Sequence, residues 1–344
     1  MNPIHALTSI ALVIIGLIVG RHAGIFMIII GLASLLLAII RHFGYLKTKS
    51  GKGEGKRPID SISKFATLTY LTALAITFLY YNVRINPDQV IFFGIFAAAL
   101  IGRTGKFLSD WFPFAILIFA YDAMRGIADN VGFPVHYQEL IAGERILFLG
   151  SLPFYWLQDT FYTPGVTAFH DVLALSIYFL HFTPAVIFLG FLWVKNKKLF
   201  LEFRDSMILV SYAALITFLL FPAAPPWLAA ENGYIPPLHR IKAEMDQSHY
   251  PVTVFTIYEL VTSNPVAAMP SLHATYPFLL FIFAVKYWGR KGILLIFLPL
   301  GIGISSVYLA EHYFIDILAG FLYATLTFLL IERLYERNSI TKQQ

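Results

Sequence analysis

The chain has 344 residues, of which 58% are hydrophobic and only 13% charged. Soluble domains carry roughly 25% charged residues, and half of that cannot cover a water-facing surface of this size, so soluble enzymes and binding modules are excluded and lipid is left as the solvent. The net charge of +5 would suit nucleic acid, but the basic residues have another explanation given below. The lack of cysteine excludes disulfides, thiolate metal sites and cysteine nucleophiles.

A helix crossing the hydrocarbon needs roughly 20 mostly apolar residues. In chain order, ten stretches qualify: 4–20, 24–40, 63–81, 88–102, 107–124, 172–194, 206–222, 266–287, 291–310 and 313–332. The first has no basic segment ahead of its apolar run and reads as a span rather than a cleaved signal. Residues 47–57 are rich in Gly and Lys and read as a flexible loop. Residues 125–171 mix Gly, Pro, charges and aromatics and read as short helices along the interface. The predicted fold class is all-α, a polytopic transmembrane helix bundle of about ten spans.

Lys and Arg prefer cytoplasmic loops. With the N-terminus inside, ten spans place 19 of the 25 Lys and Arg on the inner side. Only Arg21, Arg84, Arg125, Arg145, Arg240 and Lys242 fall outside. Both termini are therefore expected in the cytoplasm, and the basic residues are topology signals rather than a nucleic-acid footprint.

Four polar clusters then reach the outer face. They are Tyr121-Asp122 with Arg125-Gly126, Phe221-Pro222-Ala223-Ala224-Pro225-Pro226-Trp227, Met269-Pro270-Ser271-Leu272-His273, and the stretch from Val307 to Asp316. Ionisable groups near lipid are costly and are kept for function. His312 and Asp316 stand at i and i+4, which share a helix face. A carboxylate there accepts the imidazole N–H, fixes the tautomer and frees the other nitrogen to attack. Alone, such a pair is more often two groups satisfying each other at a helix end. Pro270 suits a first helical turn, so Pro-Ser-Leu-His is expected to open span eight, where free N–H groups attract a phosphate. Ser271 can cap or donate there, and His273 can pass a proton to a leaving oxygen. Alone, this is an interfacial histidine with a capping serine.

The two motifs together, Pro-Ser-Leu-His-Ala and His-Tyr-x-x-Asp, resemble the type 2 phosphatidic acid phosphatase superfamily. The earlier Pro-Ala-Ala-Pro-Pro-Trp resembles its inositol phosphorylceramide synthase (inositolphosphotransferase) branch. The likeness is strongest over 205–325. Over 120–190 it rests on Tyr121-Asp122, Arg125-Gly126 and Tyr178-x-x-His181-Phe182, and residues 1–110 resemble nothing that can be named. The resemblance implies a six-helix phosphatase-like catalytic core. It makes His312 the nucleophile that forms a phosphohistidine, Asp316 its orienting carboxylate and His273 the acid for the departing alcohol, with no metal or other cofactor. The expected domains are N-terminal helices without assigned role at 1–110, the catalytic domain at 111–335 and a polar tail at 336–344.

Two features depart from the superfamily. Its Lys-x6-Arg-Pro motif has no counterpart, because the only Arg-Pro, Arg57-Pro58, lies on the inner face with Ser50 where the lysine belongs. Its Ser-Arg before the nucleophile is Ser305-Ser306 here. A phosphate still needs charge-assisted contacts. Arg240 and then Arg125 are the expected cations, with Arg145 and Lys242 behind them, Ser271 as a further phosphate contact, and Pro270, Trp227, Asp122 and Ser305 in support. Arg125 could instead pair with Asp122 or Asp129. His181 reads as an interhelical residue, His170 and Asp171 as supporting groups, and Trp227, Trp156 and Tyr162 as interface anchors.

The expected function is lipid phosphotransfer at the extracytoplasmic face, from a lipid phosphoester to an alcohol such as inositol. A lipid phosphatase using water is the alternative. A transporter or flippase is a third reading, but transporters gather polar sites near the midplane on repeated, broken helices, whereas here they gather at one interface and no repeat is visible.

Overall fold

Apolar runs punctuated by proline and asparagine set the helices. The computed structural model describes residues 104–126, 132–249 and 264–341. All of these but Thr104 fall within one compact unit. The predicted spans at 4–20, 24–40, 63–81 and 88–102 and the Arg57-Pro58 dipeptide lie outside the described residues, and so does the test of a ten-span count.

Helix α1 (Thr104–Gly126) covers the predicted span 107–124. Two short helices follow, α2 (Gln138–Leu147) and α3 (Pro153–Phe161), the latter with its proline in the first turn. The predicted span 172–194 is not one continuous helix. It consists of α4 (Phe169–Phe179) and α5 (Thr183–Lys195), bent by 44°. Pro184 lacks the N–H that an unbroken ladder requires and seats itself in the first turn of α5. Helix α6 (Lys197–Leu220) begins well before the predicted residue 206, because the Asn196 side chain caps it by accepting from the Leu199 N–H at 3.1 Å. After α7 (Pro226–Glu231) and α8 (Ile241–His249) come α9 (Leu272–Trp288), a 3-10 segment (Gly289–Ile296), α10 (Phe297–Tyr308) and α11 (Phe314–Thr341). The last helix runs on into residues expected as a polar tail.

Among the described residues, three helical stretches are long and apolar enough to cross a membrane: 197–220, 272–308 and 314–337. The bent α4–α5 pair makes a fourth if it is one span. The stretch 272–308 doubles back on itself. Gly289 sits at φ +60°, and a Cβ on Gly292 would stand 2.4 Å from the Ala284 carbonyl oxygen, so this turn tolerates no side chain. The reversal brings the start of α9 beside the end of α10. Leucine, isoleucine and phenylalanine side chains such as Ile187, Ile216, Phe297, Ile304, Leu322 and Leu326 face outward from these helices. In water such surface would be a liability; in lipid it is the expected exterior. No strand occurs among the described residues, only isolated bridges, and this part of the chain has the all-α build of a membrane protein.

Helix α9 packs most extensively against α11. Gly320 permits this approach, since a Cβ there would lie 2.6 Å from the Ser271 carbonyl oxygen and 2.7 Å from Thr275 Oγ1. The other end of α9 is pinned by charge. Lys286 Nζ donates to Glu202 Oε2 on α6 and to Glu332 Oε1 on α11, both at 2.9 Å. Beside this end of the bundle, Tyr335 donates to Asp205 at 2.6 Å, and Asp110 is held by Lys197 and by the Trp193 indole N–H.

Candidate active site

Helix α10 stops in a Schellman turn. The Ala310 N–H bonds to the Val307 carbonyl and the Glu311 N–H to the Ser306 carbonyl, each at 3.0 Å. Ala310 takes the left-handed position with φ +59°, which costs a residue with a Cβ roughly 1–2 kcal/mol. The turn delivers Glu311 and His312 to the mouth of the bundle.

The next helix starts two residues later, and its first free N–H groups are taken by carboxylates. Asp316 Oδ2 accepts from the Tyr313 N–H at 2.9 Å. Glu144, from α2, accepts from the Phe314 and Ile315 N–H groups at 3.0 and 3.1 Å. Glu144 is fully buried. Burial pushes its carboxyl up, the two backbone bonds pull it back and the nearby Asp316 charge raises it again, leaving it at about 7.

His312 Nδ1 lies 3.4 Å from Asp316 Oδ2, a separation that a small rotation closes into a hydrogen bond once a ligand is seated. On the other side of the ring, His312 Nε2 lies 3.1 Å from His273 Nδ1, with ring centroids 5.2 Å apart. The Ser271 N–H donates to the Asp316 carbonyl at 3.0 Å, locking the start of α9 to α11. A nitrogen facing a carboxylate carries the proton, so Nε2 is the lone-pair side of His312, and it faces the second imidazole.

Pro270 does not occupy the first helical turn as expected. Ser271 is the N-cap and Pro270 precedes it. Extended backbone at Ser271 places its fully buried hydroxyl behind the histidines, without a hydrogen-bond partner among the described residues.

Both histidines open into a cavity of about 470 Å³. Its rim is stitched from three loops: Ala223 bridges to His136 on one side and to Ala267 on the other. Pro225 keeps the end of the middle loop extended, Pro226 opens α7, and Ala223 makes both bridges. Arg125, Arg240 and Lys242 all line the cavity, as do Asp122 and Trp227. Arg145 is exposed and is not among the lining residues. Neither are Ser271, Pro270, Ser305 and Asp316, which stand behind the lining. Arg125 Nε lies 3.7 Å from Asp122 Oδ1, the helix-end pairing that the spacing allowed. The Arg240 guanidinium lies 3.5 Å over the Trp227 ring. Trp227 is thus buried under a cation rather than anchored at the lipid interface, because its segment folds back and its backbone N–H reaches the Ala310 carbonyl.

Three further residues bear on the chemistry of the cavity. His181, expected between helices, sits in the α4–α5 break and lines the cavity, its ring 4.1 Å from that of His273. Tyr178 stacks on His273 with ring centroids 4.5 Å apart. Glu311 faces both Arg240 and Lys242: its Oε1 lies 3.7 Å from Arg240 Nε and its Oε2 3.9 Å from Lys242 Nζ. Its only signal in the sequence is adjacency to His312. His170 stays outside the cavity, bonded to the Phe161 carbonyl at 2.6 Å, while Asp171 accepts from the Tyr308 hydroxyl and the Ala168 N–H. Three imidazoles and three cations around one cavity suit the binding of an oxyanion with a nucleophile and an acid at hand.

Residues 138–330 match the family model described as the PAP2 superfamily. The chain is 27% identical over 284 residues to the phosphoinositol dihydroceramide synthase of Bacteroides thetaiotaomicron, an alignment covering 78% of this chain and 92% of that protein. No solved structure matches the chain.

Proposed function

The chain belongs to the PAP2 superfamily, and from that premise we propose that it is a membrane-embedded phosphotransferase that moves a phosphoryl head group between lipid alcohols through a covalent intermediate on His312. The observation that carries the reading is the 3.1 Å approach of His312 Nε2 to His273 Nδ1, with Asp316 behind His312.

In the first half-reaction, Nε2 of His312 forms a bond to phosphorus and the bond from phosphorus to the lipid oxygen breaks. His273 gives its proton to that oxygen. In the second, an acceptor alcohol attacks phosphorus, His273 takes the alcohol proton, and the N–P bond breaks. Asp316 balances the positive charge that His312 acquires, as the orienting carboxylate does in a Ser-His-Asp triad. Arg125, Arg240 and Lys242 hold the phosphoryl oxygens. The likeness to a phosphoinositol dihydroceramide synthase supports an inositol phospholipid as donor and a lipid alcohol as acceptor. The excess of Lys and Arg on the opposite side supports an active site at the extracytoplasmic face.

The test is transfer of labelled head group from an inositol phospholipid to a panel of lipid alcohols in reconstituted vesicles. Wild type is expected to label one alcohol without releasing inorganic phosphate, and His312→Ala to reduce turnover to background while eluting as a folded protein. Near wild-type transfer by His312→Ala would overturn the assignment, and release of inorganic phosphate independent of any alcohol would show a phosphatase instead.

A further inference from the structure

The pairing around Glu311 goes beyond phosphate binding. Glu311 Oε1 and Arg240 Nε are both buried, and neither has a hydrogen-bond partner among the described residues. They stand 3.7 Å apart, and the Glu311 side chain is only 10% exposed. That separation is too long for a hydrogen bond between them. One atom can only accept and the other can only donate. A single oxygen placed about 2.8 Å from each would satisfy both, provided it accepts from Nε–H and donates to Oε1. A hydroxyl does this. A phosphoryl oxygen cannot donate and is repelled by the carboxylate, and an ammonium group cannot accept and is repelled by the guanidinium. The Trp227 ring under Arg240 fixes the guanidinium plane, and Lys242 balances the second carboxylate oxygen. Glu311 precedes His312 in the chain, and both line the same cavity.

We infer that Glu311 and Arg240 form a hydroxyl-binding subsite that recognises a polyhydroxyl or alcohol substrate beside the phosphorus under attack. The inference rests on the phosphotransfer reading above and names the substrate chemistry of that site. A site built around a hydroxyl discriminates against an analogue without one, since its buried polar atoms are then left unpaired.

The experiment compares reconstituted wild type and Glu311→Ala on two donors with the same diacylglycerol and the same phosphodiester charge, one headed by inositol and one by a plain ethyl group, with the acceptor alcohol varied in each. Wild type is expected to prefer the inositol donor, and Glu311→Ala to lower the ratio of kcat/KM values by about tenfold or more, mainly through KM. Glu311→Gln, which keeps the shape, should lower it less. A fall in that ratio places the hydroxyl on the head group. A rise in acceptor KM with an unchanged donor ratio places it on the acceptor. An equal loss on both donors and all acceptors would mean that Glu311 merely holds the cations, and unchanged constants would mean that the subsite holds water only; either result overturns the inference. Absence of any turnover by wild type on these donors would count against the phosphotransfer reading itself, and the subsite would fall with it.

Discussion

The two ends of α9 handle charge in opposite ways. At one end Lys286 is held by two carboxylates, each at 2.9 Å. At the other, about 20 Å away along the helix, Arg240 and Lys242 meet Glu311 only at 3.7 and 3.9 Å. There Arg240 Nε, Glu311 Oε1 and Asp316 Oδ1 are buried without hydrogen bonds among the described residues. A buried polar atom left unbonded costs about 1–3 kcal/mol, so a fold that keeps several in one place is stabilising something other than itself. The Lys286 end holds spans together. The His312 end spends stability to remain ready for a ligand.

The comparison breaks most visibly under paired substitutions. Asp316→Asn removes the charge behind His312 while keeping its shape, and kcat is expected to fall by a factor on the order of 10³ or more with little change in melting temperature. Lys286→Met should do the reverse. It leaves the buried Glu202 carboxylate short of its main partner and costs roughly 3 kcal/mol of stability, while the protein that remains folded keeps its kcat. Steady-state kinetics beside thermal melts in one detergent separate the two. Loss of kcat in Lys286→Met at full foldedness would show that the ends are not independent.

Glu144 sharpens the comparison, because it serves the active end through structure alone. Its carboxyl is raised from the ordinary 4.5 to about 7, so the folded state binds its proton more tightly than the unfolded state does. The stabilisation is fully present below pH 4.5 and is lost as the pH rises through about 7, a slope worth on the order of 3 kcal/mol in total. Glu144→Gln cannot ionise and should flatten the melting temperature across that window relative to wild type. Parallel curves for the two proteins would contradict the assignment.

The smallest expected effect lies at the turn before His312, the proposed nucleophile. Ala310→Gly relieves the left-handed strain at φ +59° and should raise stability by about 1 kcal/mol, read as a rise in melting temperature. A drop would mean that the alanine methyl packs more favourably than the turn is strained.

Much of the active end was legible because its parts are local. The spacing of His312 and Asp316 marks them as a pair, although His312 stands just ahead of α11 and not on its face, and His273 follows from a helix start with serine at the N-cap position, although the Ser271 hydroxyl makes no cap bond. The spans among the described residues follow from hydropathy, although Pro184 splits one of them and Asn196 starts another early. What was not legible depends on contacts between distant segments. Glu144 reaches N–H groups some 170 positions away, so its own neighbours say only that it sits in a short amphipathic helix. Glu311 reads as an ordinary loop carboxylate until Arg240 and Lys242 are seen across the cavity. His181 does lie against another helix, but a continuous span gives no sign that the break at Leu180–Phe182 also leaves it lining the cavity. Trp227 looked like an anchor because tryptophan favours interfaces, and only the folded loop shows it beneath a guanidinium. The cavity cations come from two distant segments, Arg125 from one and Arg240 with Lys242 from the other, so the sequence offers Arg240, Arg125, Arg145 and Lys242 as candidates but cannot show that Arg145 alone stays out.

The central claim is a bond between phosphorus and His312, and trapping it is the direct test. An inositol phosphodiester with an aryl leaving group departs without help from His273, whereas the resolving step still needs His273 as base. His273→Ala given this labelled donor and quenched in alkali should therefore accumulate label, and peptide mapping should place it on the His312 Nε2 imidazole, with none in the His273→Ala, His312→Ala double variant. Label on another residue, or turnover of the aryl donor by the double variant at the rate of His273→Ala, would contradict the account.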